Sequence, residues 1–128
     1  MDENSNNALE RDKKRYDYAM DVLSDPCLTV FSIVLLPERL PIEESQSAID
    51  GLGKLGINVQ SLIINQCILP EVIEGNNFLT ERSKLQSSFI SEIEKRFADR
   101  IRIQLPLLAS DVSDLYALRH IGKLILGD

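Results

Sequence analysis

A chain of 128 residues has room for one domain with a single core. Its 44% hydrophobic and 27% charged residues are ordinary for a globular protein. The net charge of −6 and the pI near 4.8 exclude a general nucleic-acid binder, which needs a basic stripe, and charge-driven docking on an anionic membrane. Tryptophan is absent and the cysteines are Cys27 and Cys67. Two isolated cysteines in an acidic chain predict buried, reduced thiols and a cytoplasmic location. No apolar run approaches the length of a membrane span, and the polar, acidic N-terminus does not read as a signal peptide.

In chain order, residues 1–7 are polar and acidic and read as a frayed lead-in. Residues 8–24 predict a helix, with Leu9, Tyr16, Met20 and Leu23 on one face and charges opposite, stopped at Asp25-Pro26. Residues 28–36 are almost continuously apolar and predict a strand buried on both faces. A Pro37-Glu38-Arg39-Leu40-Pro41 loop follows. The next helix begins at Pro41 and presents Ile42, Ser45, Ile49 and Leu52 on one side, with Gly56 as its stop. Gly51 and Gly53 either weaken that helix or permit close packing on the sheet.

Residues 58–66 predict the central strand, buried on both faces and suited to the middle of a parallel sheet. The strand stops at Asn65. Ligands of open α/β sheets bind just outside the carboxyl ends of the strands, where an amide can read the edge of a small ring such as a base. The plainer reading is that Asn65 ends the strand and caps a turn. Residues 67–77 form a loop with unusually many apolar residues, which either tuck under the domain or form a contact surface. A helix over 78–98 follows, with Phe78, Leu85, Phe89, Ile93 and Phe97 as its buried stripe. Residues 101–105 alternate and predict a strand with one polar face, ended by Pro106. Asp111 or Ser113 is expected to cap a last helix with Leu115, Leu118, Ile121 and Ile125 on its core face. His120 beside that stripe reads as a surface or boundary residue.

Helices and strands alternate throughout, which predicts a three-layer α/β fold with a short parallel sheet flanked by helices. Three strands leave two long edges that proteins normally cover, so association along an edge is expected. Phosphate-loop, zinc-ligand and nucleophile-elbow patterns are all absent from the sequence, and no set of residues could carry catalysis alone.

Several motifs then fall in one order: Thr29-Val30-Phe31, Pro37-Glu38-Arg39-Leu40-Pro41, Leu55-Gly56-Ile57-Asn58-Val59, Ile63-Ile64-Asn65-Gln66, Phe78 with Glu81-Arg82 and Gln86, and Pro106-Leu107-Leu108. The series resembles the C-terminal part of the arsenical pump-driving ATPases, a family that also contains the ATPases targeting tail-anchored membrane proteins. The resemblance implies the C-terminal half of a P-loop NTPase-like fold, working as a dimer with ATP and magnesium. It places residues 1–25 at the end of a helical subdomain and residues 26–128 in the ATPase-like α/β domain. It implies that Asn65, with Gln66 beside it, contacts the adenine, that Pro106 and Leu107 border the base, and that Pro37 and Glu38 lie near the nucleotide and the dimer interface. It implies a second protomer or an N-terminal phosphate-loop segment as partner, and a membrane pump or client protein beyond it. The sequence departs from the family at Asp111-Val112-Ser113-Asp114, where the usual glycine is lost, and it lacks the paired cysteines of the zinc-clasped targeting members. Without the phosphate loop, this chain alone is expected not to hydrolyse ATP. The competing expectation is an interaction module that uses a bare sheet edge.

Overall fold

Strand β2, Val59–Cys67, runs through the middle of the molecule. The computed structural model describes residues 3–127. In chain order it contains α1 (Glu3–Ser24), β1 (Phe31–Leu35), α2 (Arg39–Lys54), β2, a short 3-10 turn (Pro70–Val72), α3 (Asn77–Arg96), β3 (Ile101–Pro106) and α4 (Leu115–Leu126). The sheet order is β1-β2-β3, with both pairings parallel. Ile33 and Leu35 pair with Leu62 and Ile64 on one side of β2, and Ser61 and Ile63 pair with Ile101 and Ile103 on the other.

Each parallel neighbour is reached through a helix, and two right-handed crossovers running the same way bring α2 and α3 to one face. Their shared position shows in two ion pairs, Arg39 with Glu92 and Arg96 with Glu43, each at 3.1 Å. Beneath them lies the core: Leu35, Ile42, Ile49, Leu62, Ile64, Ile93 and Phe97, with Val59 and Cys67 at the ends of β2. Each fully buried aliphatic side chain there contributes about 1.5–3 kcal/mol of transfer free energy. Helix α4 lies against β3 on the other face, with Ile121 and Ile125 half-buried, and completes a three-layer α/β arrangement.

Helix α2 ends as its sequence predicts. Gly56 takes φ +78, its N–H donates to the Gly53 carbonyl, and the Ile57 N–H reaches back to that of Leu52. This is the paired arrangement that a glycine just past a helix end permits. Ile57, 4% exposed, seals the turn. Gly51 and Gly53 have nothing within 4 Å of the place a Cβ would occupy, so neither permits close packing on the sheet.

Several expectations are corrected. Residues 3–7 of the expected lead-in are helical, while Met1 and Asp2 lie outside the described residues. The first strand covers five residues rather than nine and is covered on one face only. Its alternation leaves Val34 61% exposed, because the layer of α2 and α3 meets just the Phe31, Ile33 and Leu35 side. Phe78 and Leu85 are exposed, because α3 turns Gln86, Ile90, Ile93 and Phe97 toward the sheet instead. Leu115 and Leu118 are exposed, and α4 is capped by Asp114, whose carboxylate accepts from the Ala117 N–H at 2.7 Å. Leu9 and Tyr16 of α1 are exposed as well, and α1 contains no buried residue. Cys27 is exposed, on a turn held by Asp25, and only Cys67 is buried.

Candidate functional site

All six residues singled out by the sequence stand at the carboxyl ends of the strands, where parallel sheets place ligands. They line two adjoining hollows. The first, of about 290 Å³, is bounded by Asn65, Gln66, Pro106, Leu107, Asp111 and Ile121 among others. The second, of about 360 Å³, is bounded by Pro37, Glu38, Gln66, Phe78, Arg82 and Leu107 among others. Gln66 and Leu107 belong to both.

The wall between the hollows comes from an irregularity in β2. The β2–β3 register breaks between Ile64 and Cys67, where Gln66 adopts φ +59. That left-handed conformation costs a residue with a Cβ about 1–2 kcal/mol and needs support from its surroundings. Four hydrogen bonds hold it. The Gln66 N–H donates to Asn65 Oδ1 at 2.9 Å. The Leu107 N–H donates to the Cys67 carbonyl at 2.8 Å, tying β3's exit to that of β2. Gln86 on α3, 8% exposed, donates from Nε2 to the Gln66 carbonyl and accepts from the Ile68 N–H through Oε1, both at 2.9 Å. The Asn65 oxygen is thereby engaged with its own turn, and the Nδ2 end is the part that can donate outward.

The two hollows differ in charge. In the first, the ionisable lining residue is Asp111, and the walls are amide and apolar surface. In the second, Arg82 Nη2 lies 3.4 Å from Glu38 Oε1, a long contact between half-exposed groups. Pro37 is fully buried and the Glu38 N–H turns back to the Leu36 carbonyl at 2.8 Å, which fixes where α2 starts. Cys67 behind the wall is held neutral: burial pushes its thiol upward, against a smaller downward pull from its backbone contact with Leu105.

Reading the sequence missed Gln86 as a structural centre of this site. It falls three, four and seven positions before Phe89, Ile90 and Ile93, on the face those residues turn to the sheet. A polar residue at a core position of an amphipathic helix was the available signal.

A profile of the family described as anion-transporting ATPase matches residues 1–127. The chain belongs to this family. A protein of Aquifex aeolicus named as an arsenical pump-driving ATPase is 34% identical over 129 residues, which cover 99% of this chain and 33% of that protein. The ATPase ARSA2 of Chlamydomonas reinhardtii is 34% identical over 95 residues, covering 74% of this chain and 26% of its own length. An ATPase ASNA1 homolog of Dictyostelium discoideum is 29% identical over 124 residues, covering 97% and 37%. This anion-transporting ATPase chain thus spans about a third of the length of those relatives.

Proposed function

We propose that this chain is the C-terminal part of an anion-transporting ATPase and supplies the base side of an ATP site whose phosphate side lies on another segment. The observation that carries this reading is the hollow beside Asn65. The Asn65 amide, whose oxygen is engaged by the Gln66 N–H and whose Nδ2 is left to donate, lines this hollow with Pro106 and Leu107 at the ends of parallel strands, with a carboxylate and no cation in the lining. A flat, uncharged ring that presents acceptors suits such walls; a triphosphate, which needs several fixed donors or cations, does not. The residues therefore fit the adenine of magnesium-ATP, and the phosphates and the metal ion fall to the other segment. Pro37 and Glu38 border the second hollow, on the side where the nucleotide or a second protomer would continue. Helix α1 is the end of a helical subdomain, and the cytoplasm is the compartment of the assembled protein. A membrane pump is its partner, following the pump-driving name of the Aquifex aeolicus relative, and a client protein is the alternative that the family resemblance implies.

The test is calorimetric titration with magnesium-ATP, of this chain alone and mixed with a family segment that carries a phosphate loop. Binding and hydrolysis in the mixture, weakened by Asn65→Ala, are expected. No heat in either sample overturns the reading. One observation favours a second reading, an interaction module: among the described residues β1 pairs with β2 alone, so its other edge is open, and Val34 is 61% exposed on its uncovered face. A failed titration together with self-association of the chain would put that reading first.

A further inference from the structure

We infer that Gln86 is a positioning residue for the base-reading amide of Asn65, acting through the left-handed turn at Gln66. The inference rests on the proposed base site, but its first measurement does not.

Among the described residues, Gln66 is the one non-glycine residue with positive φ. It sits directly after Asn65, and its N–H is the group that holds the Asn65 oxygen inward. The direction of the Asn65 amide thus depends on the orientation of the peptide unit that Gln66 begins. That unit is set from α3. Gln86 grips the turn at two points, the Gln66 carbonyl and the Ile68 N–H, and so takes the place of the ladder partners that β2 loses where its register breaks. A side-chain amide suits this because it carries donor and acceptor side by side. Gln86 itself is buried and makes both bonds to backbone, so its polarity has no evident use except to hold this turn. It lines the second hollow and not the first, and therefore acts on the base through Asn65.

The measurement is nuclear magnetic resonance on the isotopically labelled chain. Gln86→Leu keeps the bulk of the side chain and removes both bonds. The Gln66 amide and the Asn65 side-chain resonances are expected to shift or broaden, while the amides of Ile93 and Phe97 stay in place. Unchanged Asn65 and Gln66 signals would overturn the inference. Should Gln86→Leu fail to fold, Gln86→Ala serves, since the space it opens admits water to the freed backbone groups.

The second measurement titrates adenosine, with guanosine as control. Asn65→Ala and Gln86→Leu should each weaken adenosine binding about tenfold, and the double variant should be scarcely weaker than either, because both remove one interaction. Full additivity would mean that Gln86 acts independently of Asn65 and would overturn the inference. If neither the parent chain nor its mixture with the phosphate-loop segment gives adenosine-dependent shifts, the base-site reading falls. The positioning role is then decided by the first measurement alone.

Discussion

Helices α2 and α3 bury residues completely; α1 and α4 bury none. Ile42 and Ile93 are at 0% exposure, whereas Leu9 is at 68% and Leu115 at 83%. All four helices carry an apolar stripe, so the stripe cannot be the difference. The difference is attachment. Each of the two crossover helices is tied at both ends to adjacent strands of one sheet, and this lays its stripe over that sheet. Among the described residues, α1 joins the sheet at its C-terminal end and α4 at its N-terminal end. An apolar stripe therefore states that a helix is made to be covered, and the connectivity decides whether the cover lies in the same unit.

Substitution in the two regions should separate them most sharply. Ile93→Ala is expected to lower the unfolding free energy by about 2–5 kcal/mol, while Leu115→Ala should change it by no more than about 0.5 kcal/mol. Denaturant titration of both variants measures this, and equal losses would abolish the distinction. A subtler contrast comes from the helix caps. Asn76 caps α3 by accepting from the Leu79 N–H at 3.0 Å, as Asp114 caps α4. Asn76→Ala should cost about 1 kcal/mol of global stability. Asp114→Ala should leave the denaturation midpoint nearly unchanged and instead speed amide exchange within α4.

The smallest effect belongs to the ion pairs that join α2 to α3. Hydrogen bonding to Arg96 holds the Glu43 carboxyl below its ordinary value, with added attraction from Arg96 and Arg39 against a contribution from burial. A carboxylate depressed on folding adds stability that is present above the ordinary glutamate range and lost as pH falls through the lowered value. The difference in denaturation midpoint between the parent and Glu43→Gln should be largest near neutrality and close on acidification through that window. A difference that persists in acid would show that the pair does not act through charge.

The same contrast explains what could be read from the sequence. The α2 stripe and the centre of β2 were legible because apolar spacing and burial agree there: Ile42, Ile49, Leu62 and Ile64 are all in the core. The β1 edge was not, because Val34 differs in no local respect from a residue covered on both faces. In α3 the apolar spacing predicts Phe78 on the inner face, yet Phe78 is 72% exposed while Gln86 faces the sheet. The place of Asn65 and Pro106 at the strand ends was legible, since the strand and loop boundaries around them follow from apolar runs and from proline. Of the clamp, the sequence offers only a polar residue at a core position of α3; the turn that Gln86 holds is a long-range contact that helix spacing does not carry.

The parallel pairing of β2 also bears on how the molecule assembles. Phe31 meets Val59, and Ser61 meets Ile101, only after the intervening helix has been closed over in each case. Neither strand pair can form as a local hairpin, so both loop-closure costs fall before any sheet contact is gained, and the order of events is slow for so short a chain. Through that interval the Val59–Cys67 segment, the strand with neighbours on both sides in the finished sheet, has neither neighbour. Temperature jumps and dilution from denaturant should find aggregation to be set by this segment, competing with closure of the two crossovers rather than with melting of the native state.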